Sequence, residues 1–330
     1  MSKTLAPNDV ASTESSAVRG PGGSMLRWKA YFRMGRTIRF ENFLGTVLVW
    51  SALPESFATT TRTFVLLGAN VVAFLFMVAV TGVLDDVQGL RDGSDLANYT
   101  ASDVTGLRPI TRKPLLLGWV NEHQALMYAR NCAVAALLVV GLMWFGAGAT
   151  PTWVLVGYGA EMFIGFQYSW GLRLSYRGLQ ELTLAFIVAG TMVWVGGLVT
   201  GELSALVLAE ALTFALWFVE VSIHSNACDV PGDSSVNRRT MAVLLGEQRH
   251  RFLLCGVVIL GWVWMALALF VGWLPAPFAV AFVVVLILQI QQFRVGAIQR
   301  SYLQARAIGF RVIRFGTPAL FVANLLVRHG

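Results

Sequence analysis

The sequence predicts an all-α, polytopic membrane bundle of about nine transmembrane helices around a central cavity. Three observations carry that expectation. Of the 330 residues, 56% are hydrophobic and only 13% charged, against about a quarter charged in soluble domains. Apolar segments near the roughly 20 residues needed to cross a bilayer recur along the chain. With the N-terminus inside, all but Arg62 and Arg328 of the 25 basic residues fall on one face of the membrane, as the positive-inside rule requires.

The first 25 residues are polar and rich in Ser, Gly and Pro, and read as a disordered cytoplasmic tail with no apolar signal-peptide core. Residues 26–330 read as one transmembrane catalytic domain. Its spans are expected near 41–57, 64–84, 125–147, 152–168, 182–199, 203–223, 252–272, 276–292 and 312–328. The external links between them are short. The internal segments are long and polar, so function is expected on the cytoplasmic face of a cell membrane. A pI near 9.7 would also suit nucleic acid, but so apolar a chain has no continuous basic surface for a phosphate backbone, and no nucleic-acid partner is expected. Cys132, Cys228 and Cys255 stand far apart, which indicates neither a disulfide framework nor a zinc site.

Two acidic stretches, within internal loops 85–124 and 224–251, echo each other. The second span runs into "VLDDVQGLRDGSD", with Asp85, Asp86 and Asp92. The sixth runs into "NACDVPGDSS", with Asn226, Asp229 and Asp233. "RKPLLLG" (112–118) and "RRTMAVLLG" (238–246) each place basic residues ahead of a Leu-Leu-Gly ending, so a degenerate internal repeat is expected. Taken singly, either stretch reads as a solvated charged run at a membrane boundary. Carboxylates three or four apart on a helix end share one face, and two such clusters facing each other favour Mg²⁺ held together with substrate phosphates. Nearby arginines would supply bidentate phosphate contacts.

These residues resemble the UbiA superfamily of intramembrane prenyltransferases, whose two Asp-rich motifs of the NDxxDxxxD type follow the second and sixth helices. "NACDVPGDSSVNRRTMAVLLG" resembles the second motif, "RKPLLLGWVNEHQAL" the segment after the first, and "YRGLQEL" the loop before helix five. The resemblance implies Mg²⁺ bridging the motifs to a prenyl diphosphate, with the isoprenoid tail among the helices. It implies that Asp85, Asp86, Asp92, Asn226, Asp229 and Asp233 bind metal and diphosphate, and that Arg112, Lys113, Arg173 and Arg177 neutralise the phosphates. Asp85 stands where the family has asparagine, and Gln88 takes the place matching Asp229. Tyr168 is followed by "SWGLR", so the family's Tyr-x-x-x-Lys element is absent in strict form, and Arg173 is the candidate to serve in place of its lysine.

The implied chemistry is Mg-dependent ionisation of a prenyl diphosphate and transfer of the prenyl group to a small acceptor, an aromatic ring or quinone precursor. Trp194, Trp217, Phe163, Phe166 and Tyr168 are candidate cation-facing aromatics, although most such residues pack or anchor. Glu161, Glu210 and Glu220 lie inside spans and either line the cavity or hydrogen-bond between helices. His224 is a candidate base or a solvated boundary residue; Glu41 and Asn42 are similarly open. A UbiA-type terpene cyclase, with no acceptor, is the close alternative. A secondary transporter is the more distant one, since its acids would sit near the bilayer midplane.

Overall fold

The computed structural model describes residues 24–36, 40–100 and 108–329. The expected 1–25 tail lies outside them except for Ser24 and Met25, which begin α1 (Ser24–Met34). Then follow α2 (Leu44–Ala52), α3 (Glu55–Ala58), α4 (Thr61–Asp92), α5 (Ser94–Asn98), α6 (Glu122–Ala147), α7 (Thr152–Phe166) and α8 (Gln180–Thr200). The chain continues through α9 (Ala205–Ser235), α10 (Met241–Phe270), α11 (Phe278–Phe293) and α12 (Tyr302–His329). Among the described residues, extended pairing is confined to a two-residue parallel ladder of β1 (Tyr99–Thr100) with β2 (Arg108–Pro109).

Seven of the described helices are long and apolar enough to cross a membrane: α4, α6, α8, α9, α10, α12, and α11 with its π-helical continuation to Ile298. The expected count of nine is therefore not met by full-length helices. The segment expected at 152–168 is a helix of 15 residues. The segment expected at 41–57 breaks at Leu53, which is extended at φ −70° and ψ 143°. Pro54 follows it, and a proline ring crowds the preceding residue out of the helical region.

Local chemistry sets several helix starts. The side chains of Thr60, Ser204 and Thr240 each accept the backbone N–H three residues on, and Asn121 with Gln124 closes a full capping box at α6. Each satisfies a donor that the helix itself leaves unpaired.

The bundle is built around α8 and α9. Their apolar windows are 72% and 78% buried, against 22% for α6 and 28% for α10. Phe145, Phe270 and Val280 on the outer helices project outward, as side chains facing lipid do. The molecule is an integral multi-pass membrane protein.

The three intramembrane glutamates resolve as links between helices. Glu161 on α7 accepts from Thr191 Oγ1 of α8 at 2.6 Å. Glu210 and Glu220 on α9 accept from Asn324 Nδ2 of α12 at 2.8 Å and Gln289 Nε2 of α11 at 2.7 Å. None is among the residues lining the central cavity described below. His224 is wholly buried within α9, because α9 continues past the expected boundary at residue 223. A methyl group at Gly296 would lie only 2.2 Å from its Cε1. It is neither solvated nor at the cavity wall.

Candidate active site

The acidic stretches lie on helices, where loops were expected: α4 continues through Asp92 and α9 through Ser235. Each helix ends on a left-handed residue or just before one, Gly93 at φ 83° and Asn237 at φ 56°, the residue types that tolerate that conformation best. Counted from these ends, Asp85 and Asp229 are equivalent, each eight residues ahead. The sequence spacing had instead paired Asp229 with Gln88.

The two helix ends meet at a polar pocket of about 90 Å³, whose wall includes Asp85, Asp95, Lys113, Asp229, Asp233 and Arg238. Asp85 accepts from Arg36 Nη2 at 2.9 Å, Arg238 Nη2 at 3.0 Å and Ser169 Oγ at 2.8 Å. Arg238 also lies over the Tyr176 ring, 4.6 Å from its centroid. The Tyr176 hydroxyl in turn donates to Asp92, which also accepts from Ser94 N and Oγ at 3.0 and 2.8 Å.

Lys113 is buried between two carboxylates, with Nζ 2.7 Å from Asp86 and 2.8 Å from Asp95. Burial opposes its charge, but Asp86, Asp95 and Asp85 outweigh that and hold the ammonium protonated well above the usual lysine range. One ammonium cannot fully offset two buried carboxylates. Burial, aided by the neighbouring Asp86 and Asp85 charges against the pull of Lys113, pushes Asp95 up to about 6.

Because that value is raised, the folded protein binds more protons than the unfolded chain between pH about 4 and 6. The stabilisation is complete below the unfolded value and is lost as pH rises through about 6. Thermal unfolding scans should show the melting temperature falling over this window, and Asp95→Asn should flatten that part of the profile.

Two glycines allow the close approaches. Gly89 lies under Asp95, and a methyl group there would come 2.5 Å from Asp95 Oδ2. Gly89→Ala should therefore dislodge the Asp95–Lys113 contact and cost about 1–3 kcal/mol, despite alanine's better helix propensity. Denaturation of the purified variant checks this. At Gly232 the constraint is equally tight, with Asn98 Oδ1 2.4 Å from where a methyl would sit. Pro231 disturbs the helical ladder just before it, and the Gly232 N–H donates to Asn98 Oδ1 at 3.0 Å. This bond ties α5, after the first acidic stretch, to the second.

The sequence-derived candidates divide. Asp85, Lys113, Asn226, Asp229 and Asp233 line the pocket. Asn226 is fixed within it, accepting from Gln180 Nε2 at 2.9 Å and donating to Glu181 Oε1 at 2.6 Å. Asp86 and Asp92 do not line the pocket, because Lys113 and Tyr176 hold them aside. Arg112, Arg173 and Arg177 are exposed and lie off its wall. Arg173 rests over Tyr176 at 5.5 Å. The cations on the wall are Arg36, Lys113 and Arg238. Arg238 stood within the quoted RRT triplet. Arg36, Asp95, Asn98 and Gln180 reach the pocket only through tertiary packing.

Below the polar pocket lies an apolar cavity of about 180 Å³, with Arg36, Tyr168, Gln180 and Ser225 on the walls of both. Phe74, Phe218 and Phe310 face it. Of the five aromatics singled out earlier, Tyr168 reaches the cavity wall. Trp194 and Trp217 pack in the core, Phe166 packs against α4 side chains, and Phe163 faces outward. Asn42 lines the cavity, whereas Glu41 is held by Arg314.

Among the described residues no three His, Cys, Asp or Glu side chains gather as a metal cluster. The pocket's oxygen donors suit a hard cation that takes one or two carboxylates from the protein and its other ligands from water or phosphate, the usual arrangement for Mg²⁺.

Fold and pocket together define a class: polytopic membrane bundles that set a carboxylate- and guanidinium-lined pocket over an apolar cavity. The chain belongs to the UbiA prenyltransferase family, whose model matches residues 43–312. It is 26% identical over 170 residues to digeranylgeranylglyceryl phosphate synthase of Natronomonas pharaonis, a match covering 51% of this chain and 57% of that protein. The chain thus spans little more than half the length of that curated relative. In fold it is similar to a solved structure of digeranylgeranylglyceryl phosphate synthase, with a TM-score of 0.63 at 12% identity over 91% of this chain and 99% of that one. It is also similar to a UbiA homolog from Archaeoglobus fulgidus bound to GPP and Mg²⁺, with a TM-score of 0.60 at 14% identity over 88% and 99% of the two chains.

Proposed function

We propose that the protein is a Mg²⁺-dependent intramembrane prenyltransferase that ionises a prenyl diphosphate and transfers the prenyl group to a small aromatic or quinone-precursor acceptor. The observation that carries this reading is a carboxylate-rich polar pocket set directly against an apolar cavity, with Arg36, Tyr168, Gln180 and Ser225 on the walls of both. The diphosphate and the hydrocarbon tail need those two environments side by side. The GPP and Mg²⁺ bound by the Archaeoglobus fulgidus homolog support it.

In this reading Asp85, Asn226, Asp229 and Asp233 hold the cation, while Asp86 and Asp92 orient Lys113 and Tyr176 around it. When bound, Mg²⁺ stabilises the negative charge that develops on the departing diphosphate. Arg36, Lys113 and Arg238 add fixed positive charge on the same wall. The exposed Arg112, Arg173 and Arg177 act at most on the approach of the anion. The apolar walls keep water from the allylic cation, and the ring of Tyr168, which lines both the polar pocket and the apolar cavity, favours it through its quadrupole. The bias of basic residues toward this face supports a cytoplasmic orientation for it.

The test is incubation of membranes containing the protein with Mg²⁺ and a prenyl diphosphate, with and without aromatic acceptors, followed by product analysis. Diphosphate release that requires an acceptor and stops with chelator is the expected result. A cyclic hydrocarbon formed without acceptor would replace transfer by cyclisation. Absence of diphosphate release under every condition would overturn both.

A further inference from the structure

The deep end of the apolar cavity holds a feature that diphosphate ionisation does not use. Beyond Phe74, Val188 and Phe218, which line both, lies a separate recess of about 10 Å³ bounded by Gly45, Met192 and Phe214. Met192 and Phe214 are each only 1% exposed. A methyl group at Gly45 would lie 2.9 Å from Met192 Cγ and 3.2 Å from Phe214 Cε1, so both side chains rest directly on the α2 backbone.

A polar layer backs this stop. Tyr158 Oη donates to Asn70 Oδ1 at 2.9 Å, Asn70 Nδ2 to Thr46 Oγ1 at 3.3 Å, and Thr191 Oγ1 to Glu161 Oε1 at 2.6 Å. These bonds join α2 to α4 and α4 to α7, and join α7 to α8. A hydrocarbon chain driven past Met192 would separate them where no water is available to replace the lost partners.

The depth follows from helix geometry. Gln180 at the polar pocket and Met192 at the stop are twelve residues apart on α8, as are Asn226 and Phe214 on α9. At 1.5 Å per residue that is about 18 Å. An extended chain advances about 1.2 Å per bond, so a four-carbon isoprene repeat takes about 5 Å. The open cavity reaches Val188, eight residues or about 12 Å below Gln180, so between that level and the stop about two to three repeats fit below a diphosphate seated in the polar pocket.

We infer that Met192 and Phe214, seated against the Thr46–Asn70–Thr191 layer, set the length of the prenyl chain and limit it to two or three isoprene units. The inference rests on the prenyl-diphosphate reading above. It concerns the tail, which the acidic residues do not touch.

Binding tests it without knowledge of the acceptor. The detergent-purified protein with Mg²⁺ is titrated with prenyl S-thiolodiphosphates of one to four isoprene units, and Kd is read from tryptophan fluorescence. Wild type should bind progressively tighter up to three units and about tenfold weaker at four. Met192→Ala should recover about tenfold for the four-unit analogue. Val188→Phe, one turn nearer the pocket, should weaken the three-unit analogue about tenfold while leaving the one-unit analogue within about twofold. Retained one-unit binding also reports that each variant is folded.

Four units bound as tightly as three by wild type overturns the stop. So does an unchanged length profile in both variants. If wild type binds no analogue of any length, the prenyl-diphosphate reading itself falls, and that outcome is distinct from a length profile that ignores residues 188 and 192.

Discussion

Asp229→Ala should lower Mg²⁺-dependent diphosphate release by about 100- to 1000-fold, the range for removing one group that stabilises charge in a transition state. Asp229 lines the polar pocket together with Asn226 and Asp233, each about one turn away on the same helix. The substitution leaves intact the Gly232–Asn98 bond that ties α9 to α5, so the protein should keep its melting temperature to within a few degrees. The loss should appear in kcat and in the Mg²⁺ concentration needed for half-maximal rate, because a carboxylate that helps hold the cation affects both. Asp229→Asn should retain part of the cation binding, since its amide oxygen can still coordinate, and should fall between wild type and alanine. Full activity of Asp229→Ala would remove this residue from the metal site.

Lys113→Met should act in a different way. The sequence assigned Lys113 to the phosphates, but its ammonium sits between Asp86 and Asp95, almost wholly out of solvent. Removing one partner of a buried ionic cluster typically costs about 3–5 kcal/mol, because the remaining charges lose compensation that the interior cannot supply. The expected result is a marked fall in melting temperature and in the yield of folded protein. Lys113→Met combined with Asp95→Asn should restore part of the stability, since one of the two stranded carboxylates is then gone. Were Lys113 mainly a phosphate ligand, the single variant would keep its melting temperature and raise only the KM for diphosphate. The two measurements therefore separate a group that builds the pocket from one that grips the substrate.

How far the site was legible depended on whether residues were neighbours in the chain. Asn226, Asp229 and Asp233 were found because helical spacing brings them onto one wall of a single helix, which spacing alone can show. The first acidic stretch was harder. Asp85, Asp86 and Asp92 lie within one segment, yet they have three different partners: Arg36 and Arg238, Lys113, and Tyr176. Two of the three are held off the pocket by those partners. Asp95 joins the wall in their place, because Gly89 lets it fold back over α4. Arg112 carries its charge beside the motif, but the polypeptide presents it to solvent and turns Lys113 inward.

By itself the sequence determined the membrane class, the all-α architecture, the two acidic stretches and the family to which the chain belongs. Those properties reside in composition, in apolar length and in short spacings, which bilayer thickness and helix geometry convert directly into structure. Tertiary structure alone decided that Arg238 and Arg36 share Asp85, and that the cavity ends on Met192 and Phe214. The contacts at Asp85 and at the cavity's end join residues tens to hundreds of positions apart. Which charge faces a pocket and which is neutralised against a neighbour is settled by desolvation, and that depends on what packs around each group once the helices have met.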